Sequence, residues 1–289
     1  MTNCKNMVLA ICVLVFLFQS CGDISKANAC DKPYPRAVWV WGAKELVIDA
    51  QVGDYFISFC KAKCITRAFL SLDRTLLSTL PPEPALISFV TKCHLNGIIV
   101  STLFGEAKWV YPQYRQNMLD RIQSVLTYNS NNSTEARFDG IHLDIEPHTL
   151  PEWDTNKVVL LGLLADTYAA ANQAMSSQPG LQLEVDVPVF YDKVDISTFT
   201  RIVDTVDVLT VMAYARKTVN SVVNAVSVEI ATANDEHKSV IVGFNAKDFL
   251  KEAELETLIV GVGNRLSSNP SFSGFSIHDF DDYKMLVGM

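Results

Sequence analysis

The chain of 289 residues predicts a single closed (β/α)8 barrel, the TIM-barrel fold, on three observations. Eight short apolar β-like runs alternate with stretches of helical length, the rhythm of a parallel sheet whose strands are joined by helices. Polar and ionisable residues gather where those runs end and form no such series where they begin, the polarity of a barrel whose working mouth is at the carboxyl ends of its strands. One run, Phe138 to His148, joins an apolar row to a charged one. In an extended chain His142, Asp144 and Glu146 share one face, while Ile141, Leu143 and Ile145 share the other. Two carboxylates and an imidazole on one buried face are costly to desolvate, and catalysis is a reason to accept that cost.

In order, the strand segments are 37–42 (AVWVWG), 65–72 (ITRAFLSL), 97–104 (GIIVSTLF), 138–146 (FDGIHLDIE), 181–189 (LQLEVDVPV), 206–215 (VDVLTVMAYA), 239–246 (SVIVGFNA) and 274–280 (GFSIHDF). Trp39 and Trp41 share a face of the first strand, inside the barrel or at its rim. Pro147 biases Glu146 toward extended backbone and ends the fourth. Helices are expected at 111–126, 156–175, 218–231 and 246–259. Asp281 and Asp282, after the eighth strand, read as the solvated first turn of a further helix. The rim residues are Glu106 after strand three, Asp144 and Glu146 at the end of four, Asp186 in five, Tyr214 closing six, Asn245 closing seven, and His278 with Asp279 closing eight.

Residues 1–29 read as a signal peptide. Lys5 is a small basic start, Met7 to Phe18 is an apolar run too short to favour a membrane span, and Ala27-Asn28-Ala29 is a small-x-small cleavage site before Cys30. Cleavage before Cys21 with lipid attached there, and an uncleaved anchor, stay open. Residues 30–289 then form one barrel domain, secreted or extracytoplasmic, with no stable membrane span. The chain carries 24 basic and 32 acidic residues, and loss of Lys5, Lys26 and Asp23 leaves 22 and 31. That balance, without any Lys/Arg cluster, disfavours nucleic acid as a partner. Cys30, Cys60, Cys64 and Cys93 could form two disulfides in an oxidising compartment, with three possible pairings; zinc has only His94 nearby to help. Asn131 and Asn132 head two overlapping glycosylation sequons. No glycine-rich phosphate loop is present, and no organic cofactor or metal is implied.

Asp139-Gly140-Ile141-His142-Leu143-Asp144-Ile145-Glu146 resembles the DxxDxDxE hallmark of the family 18 glycoside hydrolases, which include chitinases and endo-N-acetylglucosaminidases, in three of its four marked positions. Val211-Met212-Ala213-Tyr214 is similar to the family's sixth-strand M-x-Y-D element, with Ala215 in place of the aspartate. Gly274 to His278 aligns with an eighth-strand segment that ordinarily ends in tryptophan. The resemblance implies a carbohydrate substrate and a catalytic set of Glu146, Asp144 and Tyr214. Glu146 would be general acid and then base. Asp144 would orient the substrate's own acetamido group as nucleophile and raise the proton affinity of Glu146 by repulsion. Tyr214 would hydrogen-bond the acetamido carbonyl.

Substrate contacts are expected from Asp139, His142, Glu106, Trp109, Asp186, Tyr191, Asn245 and His278, with Trp109 the sugar-stacking ring and His148 a rim residue. The departures at His142, Ala215 and His278 point away from chitin specifically. His142 can donate a hydrogen bond or carry charge but cannot share a proton between carboxylates. The alternative function is a catalytically inactive barrel that binds carbohydrate or inhibits.

Overall fold

Eight parallel strands close into a barrel in strict sequence order: β1 (Arg36–Val40), β2 (Ile65–Leu70), β3 (Ile99–Phe104), β4 (Gly140–Leu143), β5 (Gln182–Pro188), β6 (Val208–Met212), β7 (Ser239–Asn245) and β8 (Phe272–His278). This is a computed structural model, and it describes residues 31–78 and 83–289. Closure is made by β8 against β1, with Val38 opposite Ile277. The leader and Cys30 lie outside the described residues.

The alternation read from the sequence separates two cores. Outward-facing residues such as Val38, Val100, Ile141, Leu143, Val185, Val211 and Val242 are fully buried beneath the helices. Inward-facing Ala37, Trp39, Phe69, Leu103, Val208 and Ile241 form a smaller cluster in the lumen. A barrel of this strand number is filled by side chains rather than left as a pore, and Trp39 and Phe69 supply much of the filling, 5.6 Å apart edge to face.

The helices are α1 (Lys44–Ile48), α2 (Ala50–Lys63), α3 (Arg74–Ser78), α4 (Pro84–Leu95), α5 (Pro112–Ser130), α6 (Trp153–Met175), α7 (Tyr191–Val194), α8 (Ile196–Thr205), α9 (Val219–Ala225), α10 (Ser227–Asp235), α11 (Glu252–Leu266) and α12 (Phe280–Leu286). Asp49, Asp195 and Asp279 cap α2, α8 and α12 by accepting from backbone N–H groups of the first turn. The helix expected at 218–231 is two, broken at Val226. The one expected at 246–259 starts as a single 3-10 turn and becomes α-helical only at Glu252. α6 is long and apolar enough to cross a membrane, but Leu160, Leu161, Leu164, Tyr168 and Ala171 spend that hydropathy on the barrel core.

Three expectations are corrected. Asp282 is buried rather than solvated, its Oδ2 2.9 Å from Lys247 Nζ; only Asp281 faces water. Cys60 and Cys93 are buried free thiols, so the four cysteines do not form two disulfides among themselves. Cys64, which ends α2 in the left-handed conformation at φ 61°, is not a free thiol. Finally, β4 is shorter than the run 138–146, since the Phe138 N–H and carbonyl both bond the Asn129 amide and Glu146, at ψ 75°, already turns out of the strand.

Phe69 lies flat on the His142 ring at 3.9 Å between centroids and is fully buried. Phe69→Ala is expected to cost roughly 3–5 kcal/mol, read as a lower urea midpoint with an unchanged slope.

Candidate active site

A column of alternating charge climbs the lumen toward the carboxyl ends of the strands. Arg67 of β2 pairs at its base with Glu184 of β5, whose Oε1 also accepts from Ser101 Oγ at 3.0 Å. The other Glu184 oxygen lies 3.3 Å from His142 Nδ1, and His142 Nε2 lies 2.9 Å from Asp186 Oδ2. The second of these is an ion pair without good hydrogen-bond direction, since Nε2 has no well-aligned acceptor. Trp39 Nε1–H completes the shell, donating to the same Asp186 oxygen at 3.0 Å. Gly140 makes the packing possible: a Cβ there would come within 2.8 Å of both Glu184 Oε1 and Ser101 Oγ.

His142, Glu184 and Asp186 are all essentially removed from solvent. Burial works against the imidazolium, but Asp186 and then Glu184 outweigh it and push His142 up to about 9. The residue standing where the family has an aspartate is therefore a fixed cation near neutral pH.

Above it is the mouth. Asp144 is held up at about 8 by burial first, then by Asp186 and Glu146, with His142 pulling the other way. Glu146, its side chain about one third exposed, is also raised, by burial and then by Asp186. Burial and then Asp186 raise Glu146, while the repulsion between Asp144 and Glu146 shows in the raised Asp144. Tyr214 is held far up by burial and the surrounding carboxylates and stays a hydroxyl donor.

Around these sit the groups that differ from the family. His278 is wedged among Trp39, Trp41 and Tyr214 at centroid distances of 5.6, 6.3 and 5.8 Å, and its Nε2 accepts from Trp41 Nε1 at 3.0 Å. Ala215 has φ 59°, and its N–H donates at 2.6 Å to the carboxylate of Asp248, which follows β7. His278, Asp279 and Asp282 bring ligand atoms within 4.8 Å of one another, but the Lys247 ammonium already serves Asp282.

The remaining expected residues separate. Glu106 is exposed at the rim and accepts from Lys108 N; Asn245 caps the turn after β7. Tyr191 is fully buried and reaches the site only through His148, its hydroxyl 2.9 Å from Nδ1. Trp109 does not line the mouth: it is buried in the core under α5 and α6. Asp139 lies at the opposite end of the barrel, accepting from Val100 N at 2.7 Å and His94 Nε2 at 3.0 Å. Five residues of strand separate it from Asp144, about 17 Å. Asn131 and Asn132 share that far end, each amide donating at 2.8 Å to a carbonyl of the last turn of α5. Sequence reading missed Arg67, Glu184 and Trp41 as parts of the site. The signal for Glu184 was its period-two spacing from Asp186.

No protein-family model matches the chain, and no curated protein does. Solved structures do share its fold. A GH18 chitinase from Pseudoalteromonas aurantia is 14% identical over 87% of this chain and 98% of its own, with a TM-score of 0.54. A xylanase-A-amylase inhibitor protein is 15% identical over 88% of this chain and 95% of its own, at 0.55. A fungal β-1,4-galactanase is 10% identical over 86% and 89%, at 0.56. The resemblance to family 18 is a distant one, and the shared feature is the barrel.

Two outcomes follow from this geometry. His142, raised from 6.5 to about 9, adds stability that is complete below the lower value and lost as pH rises through the upper one, on the order of 3 kcal/mol. Melting temperature should fall over that interval, and less steeply in His142→Gln. At Gly105 a Cβ would stand 2.4 Å from the Asp144 carbonyl oxygen. Gly105→Ala should therefore displace Asp144 and cost roughly 1–3 kcal/mol, visible as a lower melting temperature together with loss of the infrared carbonyl band of protonated Asp144.

Proposed function

We propose that this chain is a secreted glycoside hydrolase acting on an N-acetylhexosamine-containing glycan, with Glu146 as general acid and then base. The observation that carries this reading is the Glu146 carboxyl, partly open to solvent at the mouth and raised in proton affinity by burial and by Asp186. A general acid must hold its proton at working pH and still reach the leaving group. Glu146 gives that proton to the glycosidic oxygen as the bond to the anomeric carbon breaks, while the substrate's acetamido oxygen forms the new bond to that carbon. Glu146, now a carboxylate, then takes a proton from the water that reopens the ring so formed. Asp144, alongside, orients the acetamido group, and Tyr214 donates to its carbonyl. The steps follow the family resemblance; the neutral Asp144 and the cationic His142 are this chain's own.

The exposed ring of Trp41, steadied by its bond to His278, replaces Trp109 as the sugar platform. Such a platform serves binding as well as cleavage, and it supports a second reading: a barrel that holds carbohydrate, or inhibits, without turnover.

Product release from a panel of N-acetylhexosamine oligomers and other polysaccharides, followed by mass spectrometry across pH 4 to 8, tests the choice. Glu146→Gln should lower turnover by roughly 10²–10⁴-fold with sugar binding retained. Saturable binding with no turnover by the unaltered protein would instead establish the binding module.

A further inference from the structure

Glu146 has a neighbour that the scheme above leaves idle. His148 lies with Nε2 3.5 Å from Glu146 Oε1 and Nδ1 2.9 Å from the Tyr191 hydroxyl. The rings of Trp153, Phe190 and Tyr191 box it in at centroid distances of 6.3, 5.4 and 5.8 Å. The titratable groups facing it are therefore Glu146, from its own turn, and Tyr191, from α7; Trp153 of α6 and Phe190 bring no charge.

The partners decide which ring nitrogen carries hydrogen. Tyr191 is fully buried, and burial with the nearby Glu146 and Asp144 holds its phenol well above the usual range, so it remains a hydroxyl. A buried hydroxyl proton needs an acceptor, and the one in reach is Nδ1. Burial also holds His148 below its ordinary value, so it is neutral near pH 7. A neutral imidazole that accepts at Nδ1 keeps its hydrogen on Nε2, and that hydrogen faces Glu146. At 3.5 Å the contact is loose, as bonds in unliganded sites often are before substrate closes over them.

We propose that His148, fixed by Tyr191 as the Nε2–H tautomer, is a positioning residue that selects which oxygen of Glu146 carries the transferable proton. A proton on Oε1 would point at the Nε2–H, so it resides on Oε2, the oxygen left for the leaving group. When that proton departs, the same Nε2–H stabilises the carboxylate. The functional consequence rests on the reading of Glu146 as acid and base; the tautomer does not.

The test therefore has two arms. Nitrogen-15 NMR of histidine-labelled full-length protein, with His148→Phe for assignment, should show Nε2–H at neutral pH. The preference should collapse toward a mixture in Tyr191→Phe. An Nδ1–H tautomer, or an Nε2–H preference unchanged by Tyr191→Phe, overturns the proposal even if no glycan is ever cleaved.

In the turnover assay His148→Phe removes the donor and should move the basic limb of the kcat/KM profile up by about one pH unit. It should lower kcat with KM within about twofold, while His148→Asn, which keeps an N–H, restores part of the limb. A basic limb unmoved by His148→Phe also overturns the proposal. If the unaltered protein cleaves nothing, the hydrolase reading fails and the NMR arm still decides the tautomer.

Discussion

The structure depends on one buried imidazolium. His142 has no solvent access, and moving a full charge out of water costs several kcal/mol unless partners repay it. Two carboxylates on the next strand do so, Glu184 at Nδ1 and Asp186 at Nε2, and Arg67 closes the lower end by pairing with Glu184. Signs alternate from Arg67 to Asp186, so each charge has an opposite neighbour and the column is neutral as a unit. Removing a single member would leave an unpaired buried charge, a costlier defect than replacing the whole column with apolar residues.

That column sets the chemistry at the mouth. Asp186 neutralises His142 from one side and adds to burial in raising Asp144, just past the end of β4, on the other. Three of the residues by which this chain departs from family 18 have a replacement from a neighbouring segment. Asp186 of β5 brings the carboxylate that His142 lacks. Asp248, after β7, brings one to the Ala215 backbone. Trp41, just after β1, brings the indole missing at His278. In a closed barrel, residues at one height on different strands converge on the same axis, so a function lost on one strand can be supplied from another without moving the site.

Convergence of that kind explains what the sequence disclosed. Order, number and polarity of the strands were legible because each rests on local alternation, and Glu146, Asp144 and Tyr214 at the rim follow from strand ends alone. Depth was less legible. The motif's first aspartate, Asp139, is a strand-start residue, and only a count of residues along β4 reveals that it cannot reach the mouth. Trp109 follows strand three in sequence but enters a 3-10 turn that drives its ring into the core. The Arg67–Glu184–His142 contacts join three strands, and no local pattern specifies a register across strands. The cysteines misled for a related reason: Cys60 and Cys93 come together between α2 and α4 as packing groups, and free cysteine is commonly a small core residue.

The two histidines of the fourth strand end make the general point most sharply. His142 is the deeper and His148 the shallower, so burial alone would leave His142 the less willing to hold charge. The order is reversed: His142 is raised and His148 lowered. Desolvation opposes the charged form of both, and what differs is the company each keeps. His142 meets a carboxylate at each nitrogen, whereas His148 is boxed by three aromatic rings, one of them the Tyr191 phenol that will not ionise, with the Glu146 carboxyl 3.5 Å away. Seven residues of one segment thus hold a buried cation in the barrel lumen and a neutral imidazole beside the Glu146 carboxyl. Exchanging their partners rather than their positions would exchange their roles.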